Sequence, residues 1–195
     1  MKKCLFVDCC LRDGSNTLKL AEEFLSNLKG YEIEHLKLEN ENLKPLVGDF
    51  FNERQELLTK NELSHPRFRY AHQIKEADLV LIAAPFWDLS FPALLKIYIE
   101  NISVDGITFT SNENGLQGLC KANNLVYLTT RGGFYNDDTN MEQAIPYLNA
   151  LKTFFGFKDF KYIAADGMDV QGFDSNKSLN EAKEKARCLA VSIGN

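Results

Sequence analysis

The stretch LVLIAAPFWDLSFP, at residues 79–92, gives the clearest indication of the fold. Residues 79–84 are all apolar, which is typical of a strand buried on both faces at the centre of a parallel sheet. Pro85 ends this strand, and the aromatic residues Phe86 and Trp87 follow at once. The stretch therefore predicts a central strand that leads into an aromatic loop.

Short apolar strands alternate with longer helical periods on both sides of this stretch, which predicts an α/β fold with helices on both faces of a parallel sheet. The predicted strands are 4–8, 31–38, 79–84, 125–130 and 160–165. The predicted helices are 17–28, one that ends at Asp78, 92–102, 141–155 and 178–192. Five strands match the flavodoxin-like order 2-1-3-4-5 better than a six-stranded dinucleotide fold. Residues 41–69 are polar and helical only in parts, so no element is assigned to them.

The composition is that of an ordinary folded domain, which we expect to span residues 1–195. The formal net charge is −5 without a concentrated Lys/Arg surface, which argues against nucleic-acid binding. The amino-terminal apolar run breaks at Asp8, too early for a signal peptide. No stretch approaches the roughly 20 apolar residues that cross a bilayer. We therefore expect a cytoplasmic protein without membrane contact.

Ligands of an open α/β sheet bind beyond the carboxyl ends of its strands, where the strand order reverses. Three loops meet this condition, namely residues 9–17, 85–91 and 130–135. The three histidines, His35, His65 and His72, lie outside these loops, and we expect them to be surface or structural residues.

The loop 9–17 leads into a helix whose free N–H groups and dipole attract an anion. Arg12 offers a positive charge, Ser15 and Thr17 offer hydroxyl groups, and Asn16 offers an amide, a set that suits a monoester phosphate. The alternative is that Ser15 or Asn16 only caps the helix. The loop itself favours neither, because it contains no glycine-rich dinucleotide motif and no P-loop.

The other two loops also have two interpretations each. Phe86 and Trp87 offer a flat cofactor an aromatic surface, or they pack against a partner subunit or the next helix. The sequence RGG at 131–133 allows a ligand to approach the backbone closely, although a Gly-Gly pair is also a common turn.

The five cysteines are odd in number and lack the spacing of metal ligands, so we expect reduced thiols with neither a disulfide nor a metal site. Cys9 and Cys10 precede a helix amino terminus, where a lowered thiol pKa supports redox or nucleophilic chemistry. We favour a structural role, because no histidine is close to them in sequence and adjacent cysteines form strained disulfides.

Taken in order, the three loops resemble the FMN-binding loops of the NADH azoreductases and NAD(P)H quinone reductases. APFWDL at 84–89 is similar to the family's Ala-Pro-Met-Tyr-Asn-Phe segment along the isoalloxazine ring, and TRGGFY at 130–135 to its Ser-Arg-Gly-Gly loop at the pyrimidine edge. Further similar segments are 94–100, 106–109, 113–119, 146–148, 155–157 and 166–168.

The resemblance implies an enzyme in which NADH or NADPH reduces bound FMN at N5, leaves, and is replaced by a quinone or azo compound that takes the electrons. The flavin carries this ping-pong chemistry, so neither a catalytic side chain nor a metal is expected. The resemblance also implies a symmetric homodimer whose partner chain completes each flavin site, with the apolar segment 91–102 near the interface. The residues expected to bind FMN are Cys9, Arg12, Ser15, Asn16, Thr17, Pro85, Phe86, Trp87, Asp88, Leu89, Thr130, Arg131, Gly132, Gly133 and Tyr135.

The chain departs from the family pattern at three places. Cys9-Cys10 stands where the family has serine, Asp88 replaces asparagine, and Phe134-Tyr135 replaces a more aliphatic, histidine-bearing segment. Two other functions therefore stay open. One is an electron carrier or FMN-binding module without NADH turnover, although the first loop lacks the flavodoxin phosphate pattern. The other is a binding or structural protein that has lost the cofactor.

Overall fold

The computed structural model describes residues 1–113, 115–135 and 140–195 and contains seven strands and six α-helices in these ranges. The strands are β1 (Lys2–Asp8), β2 (Tyr31–Lys37), β3 (Leu79–Ala83), β4 (Phe109–Asn112), β5 (Gly115–Gly118), β6 (Asn124–Thr130) and β7 (Asp159–Ala165). The helices are α1 (Asn16–Asn27), α2 (Gly48–Thr59), α3 (Arg69–Glu76), α4 (Ala93–Ile102), α5 (Ala144–Phe155) and α6 (Ser175–Gly194). Short 3-10 helices lie at Leu38–Asn40 and Pro66–Phe68.

Five of the strands form one parallel sheet in the order β2-β1-β3-β6-β7. The predicted order 2-1-3-4-5 numbers the sheet strands alone, and its last two numbers change because the antiparallel hairpin β4–β5 precedes β6 in the chain. The strand order reverses between β1 and β3, whose carboxyl-terminal residues Asp8 and Ala83 are paired. A ligand site is therefore expected beyond this pair.

The central strand β3 is buried along its whole length, as its apolar sequence predicted. Leu79 and Leu81 pack in one cluster with α1 and α6, whereas Val80 and Ile82 pack in another with α3, α4 and α5. Because each fully buried leucine, isoleucine or valine side chain stabilises the fold by about 1.5–3 kcal/mol, this strand holds the two helical layers together.

The helix α2 lies within residues 41–69, to which the sequence assigned no element. Leu57 is its only buried residue, and it packs with Phe68, Ala71, Val104 and Ile107 outside the main sheet. A helix that buries so little apolar surface leaves a weak periodic pattern, which is why the sequence did not reveal it.

The hairpin β4–β5 packs its backbone against the end of α5. A Cβ atom built on Gly118 would lie 2.0 Å from the backbone nitrogen of Gly156, so the two main chains are in direct contact. Gly156 ends α5 in the left-handed conformation, with φ of 84°. Asn114, part of the segment 113–119 that resembles the reductase family, lies outside the described residues. Among the described residues, no helix is both long and apolar enough to cross a membrane.

Candidate functional site

A cavity of about 460 Å³ opens beyond the carboxyl ends of the central strands, within the range of 300–1,000 Å³ that is usual for small-molecule sites. Its wall includes residues from all three predicted loops and from a fourth loop that follows β7. The lining residues are Arg12, Asp13, Gly14, Ser15, Asn16, Pro85, Phe86, Trp87, Thr130, Gly132, Met168 and Asp169.

The amino terminus of α1 forms one side of the cavity. Ser15 caps the helix, since its Oγ accepts a hydrogen bond from the backbone N–H of Leu18 at 3.3 Å. Ser15 also lines the cavity, so capping and ligand contact do not exclude each other. The first turn of α1 carries no acidic residue. Its free N–H groups and helix dipole therefore favour an anion here.

The start of α1 is tied to β6 through two threonines. Thr17 is fully buried, and its Oγ1 lies 2.6 Å from the Oγ1 of Thr130. Asn16 precedes Thr17, and its Nδ2 donates to the Sδ of Met168 at 4.0 Å. This contact connects the first loop to the fourth. These contacts fix the first loop relative to the far side of the cavity.

The aromatic loop is built on a tight turn. The backbone N–H of Trp87 donates to the carbonyl of Ser90 at 3.0 Å, and the N–H of Ser90 donates back at 2.8 Å. The two residues between them, Asp88 and Leu89, have φ of 47° and 67°. Such turns favour asparagine and glycine, and a leucine in this conformation costs about 1–2 kcal/mol. Trp87 is 37% exposed beside the cavity, whereas Phe86 is nearly buried with its ring centroid 4.4 Å from that of Tyr135.

The third loop is joined to the fourth by an ion pair. The guanidinium of Arg131 donates to both carboxylate oxygens of Asp166, with 2.7 Å between Nη2 and Oδ2. The Arg131 side chain is only 7% exposed, so its charge is compensated away from solvent. We conclude that Arg131 holds the two loops together rather than facing the cavity.

Backbone hydrogen bonds connect the same two loops. The N–H of Asp169 donates to the carbonyl of Gly132 at 3.0 Å, and the N–H of Met168 donates to the carbonyl of Arg131 at 3.1 Å. A Cβ atom on Gly132 would lie 2.5 Å from the Oδ2 of Asp169. Only glycine therefore lets this carboxylate lie against the third loop at the cavity wall.

Comparison with known proteins identifies the fold family. A family model described as a flavodoxin-like fold matches residues 2–189. The chain belongs to this flavodoxin-like family. An FMN-dependent NADH:quinone oxidoreductase of Clostridium perfringens is 36% identical over 200 residues, which span 97% of this chain and 98% of that protein. A protein of the same name from Clostridium beijerinckii is 46% identical over 130 residues, which span 66% of this chain and 65% of that protein.

A solved structure supports the same assignment. The crystal structure of an azoreductase from Bacillus anthracis matches with a TM-score of 0.87 and 26% identity, covering 98% of this chain and 100% of the other. The resemblance that the three loops indicated is thus confirmed.

Within this flavodoxin-like fold, the residues predicted to bind FMN divide into two groups. Those that line the cavity are Arg12, Ser15, Asn16, Pro85, Phe86, Trp87, Thr130 and Gly132. Those that do not line it are Cys9, Thr17, Asp88, Leu89, Arg131, Gly133 and Tyr135. Most residues of the second group are neighbours in the chain of residues in the first, so each of the three loops reaches the cavity through some of its predicted side chains.

Sequence reasoning did not assign Met168 and Asp169 to the binding site, although Met168 ends the segment 166–168 that resembles the family; both line the cavity from the fourth loop. Their position directly after the last strand was the available signal, since all carboxyl ends of a parallel sheet meet at one edge. Asp13 and Gly14 belong to the first loop but were likewise not chosen as binding residues.

The two adjacent cysteines point to opposite faces of the sheet. Cys9 is fully buried in the cluster with α4, whereas Cys10 is buried in the cluster with α1. Burial raises the pKa of the Cys9 thiol to about 12. Burial, followed by the charge of Asp8, also raises the pKa of the Cys10 thiol. Protonated thiols at neutral pH are poor nucleophiles, which favours a structural role for both.

Proposed function

We propose that this protein is an FMN-dependent NAD(P)H oxidoreductase that reduces quinones or azo compounds by a ping-pong, two-electron mechanism. One observation carries the proposal: a single cavity at the strand-order reversal combines a helix amino terminus, suited to a phosphate, with an exposed tryptophan, suited to a flat ring. The names of the relatives from Clostridium perfringens and Clostridium beijerinckii support it.

The residues of the cavity fit FMN. Arg12, Ser15 and Asn16 surround the start of α1, where a phosphate receives hydrogen bonds and meets no acidic residue of the first helical turn. Phe86 and Trp87 provide the aromatic side of the site. When bound, FMN supplies the two-electron redox chemistry, and the protein supplies binding, orientation and the electrostatic surroundings.

We assign the polar wall formed by the third and fourth loops to the hydrogen-bonding edge of the ring. Thr130 offers a hydroxyl group, and the main chain at Gly132 is free of a side chain on the cavity side. The carboxylate of Asp169 accepts hydrogen bonds only, so it suits an N–H or hydroxyl group of the cofactor. The residues behind this wall, Arg131 and Tyr135, position it through the ion pair with Asp166 and the contact with Phe86.

The proposal also covers the domain organisation, the location and the oligomeric state of the protein. The whole chain, residues 1–195, acts as one FMN-binding domain in the cytoplasm and forms a symmetric homodimer. Most apolar residues of α4, including Leu95 and Tyr98, pack inside the chain itself, and Leu94 and Ile97 remain only partly buried. These two side chains, rather than the whole helix face, are available to a second copy, and sedimentation analysis of the FMN-loaded protein measures the dimer directly.

The decisive experiment is the visible absorption spectrum of the purified protein after incubation with FMN and desalting, repeated without oxygen after addition of NADH. We expect a retained flavin band that NADH bleaches and a quinone restores. A retained band that NADH leaves unchanged would indicate an electron carrier instead. If no flavin is retained, the cavity serves another purpose.

A further inference from the structure

Asp8 is a buried carboxylate directly before the first loop, and it is 1% exposed. Its Oδ1 accepts a hydrogen bond from the backbone N–H of Cys10 at 2.9 Å. Its Oδ2 lies 3.0 Å from the Nε2 of His35. One oxygen therefore holds the backbone of the loop, and the other is held by a histidine on the neighbouring strand.

His35 is packed on one side and open to solvent on the other. Its ring stacks on Phe6, with 4.6 Å between the ring centroids and an angle of 21° between the planes. Its side chain is 50% exposed, because β2 is the edge strand of the sheet. The stacking fixes the ring beside Asp8, while the exposed edge allows protons to exchange with water.

The charge of Asp8 opposes the binding of an anion to the loop that follows it, since like charges repel more strongly where water is excluded. The loop also carries the charged residues Arg12 and Asp13, β2 carries Glu34 and ends at Lys37, and Glu39 follows β2. Lys37 forms an ion pair with Glu39, so its charge is already compensated. Among the described residues, His35 is the one basic side chain within ion-pair distance of the Asp8 carboxylate, at 3.0 Å.

We propose that His35 is a positioning residue for the cofactor phosphate: in its protonated form it compensates Asp8 and keeps that carboxylate bonded to the loop backbone. The inference rests on the proposed function, because it requires that the cavity binds FMN with its phosphate at α1. On this proposal, the contribution of His35 to FMN binding is expected to be larger in acid than in base.

The test compares FMN dissociation constants of the wild-type protein and the His35→Gln variant, measured by quenching of flavin fluorescence. Histidines change charge between about pH 5 and 8, so the two measurements are made at these limits. At the acid limit, we expect the variant to bind FMN about tenfold more weakly, within the usual range of coupling between two sites. At the basic limit, the two constants should converge. Taking their ratio at each pH cancels the titration of the phosphate itself.

Riboflavin, which has the same ring without a phosphate, is the ligand control, and its affinity should be equal for the two proteins. His72→Gln is the protein control, because the Nε2 of His72 makes a comparable bond, 2.8 Å from the carbonyl oxygen of Leu63. His72 lies on α3, which packs on the sheet face opposite α1. This variant should bind FMN as the wild type does.

Asp8→Asn removes the charge but keeps an oxygen that accepts from Cys10. In this background, His35→Gln should no longer alter FMN binding in a pH-dependent way. If wild type binds no FMN, the proposed function and this inference both fail. If it binds FMN, but the ratio is the same at both pH limits or riboflavin is weakened as much as FMN, the role of His35 alone is refuted.

Discussion

The first loop, residues 9–17, and the turn from Trp87 to Ser90 border the same cavity but are held by different forces. Side-chain hydrogen bonds hold the first loop: Ser15 to the helix backbone, Thr17 to Thr130, and Asp8 to Cys10. The turn is held by two backbone hydrogen bonds and contains two residues with positive φ. Substitutions in the first loop should therefore cost stability, whereas a substitution in the turn can increase it.

The largest effect is expected from Thr17→Val, which removes the buried hydroxyl group and leaves that of Thr130 without this partner. We expect the free energy of unfolding to fall by about 1–1.5 kcal/mol, the upper part of the net contribution of one hydrogen bond, because Thr130 is only partly buried. Chemical denaturation of the cofactor-free protein measures this change. Thr17→Ser keeps the hydroxyl group and should lose less; equal losses in both variants would show that the methyl group matters instead.

A smaller effect is expected from Ser15→Ala, which removes the cap of α1. Loss of an N-cap costs about 1 kcal/mol, and here it should also weaken FMN binding because Ser15 lines the cavity. Asp174→Ala is the matched control, since Asp174 caps α6 by accepting from the N–H of Lys177 at 2.9 Å, outside the cavity. It should lose similar stability and leave FMN affinity unchanged. Equal FMN affinities for the two variants would contradict the assignment of Ser15.

The substitution Leu89→Gly in the turn is expected to increase the free energy of unfolding. Glycine adopts φ of 67° without strain, and after allowance for its greater freedom in the unfolded chain we expect a gain of about 0.5–1 kcal/mol. Thermal and chemical unfolding measure the gain. Leu116→Gly serves as the comparison, because Leu116 is an exposed leucine in β5 whose φ is not positive. Glycine at this position should lower the stability of the protein. A loss of stability in both variants would contradict the strain at Leu89.

The smallest effect concerns the cysteines with which the first loop begins. Because burial raises the pKa of the Cys9 thiol to about 12, its thiolate form is almost absent at neutral pH. We expect iodoacetamide to modify Cys188, which is exposed, and to leave Cys9 and Cys10 unmodified in the folded protein. Mass spectrometry of digested protein locates the label. Labelling of Cys9 as fast as Cys188 would show that the loop opens in solution.

The loops could be predicted from the sequence more easily than the side chains that line the cavity. The apolar run of β3 predicts a buried strand, and the carboxyl ends of parallel strands predict where ligands bind. The sequence did not show whether the Cys9 side chain faces the core or the cavity, because successive side chains in extended backbone point to opposite faces. An error of one residue in the predicted end of the strand is enough to exchange the two faces.

Other features depend on contacts between distant segments. Asp169 reaches the cavity because its backbone bonds to Gly132, and no local pattern marks such a pairing. The interaction of His35 with Asp8 depends on the register of β2 beside β1, in which His35 pairs with Phe6. A histidine outside every predicted loop was therefore expected to be structural, although it contacts the residue that holds the first loop.

The contact between Gly118 and Gly156 limits how the hairpin β4–β5 can change during evolution. A side chain at either position would overlap main-chain atoms, and no shift of a neighbouring rotamer can relieve such an overlap. The base of the hairpin must therefore keep its present spacing from α5. A change in chain length that separates Gly118 from Gly156 would remove this contact, so the glycine pair sets where the arm joins the body of the domain.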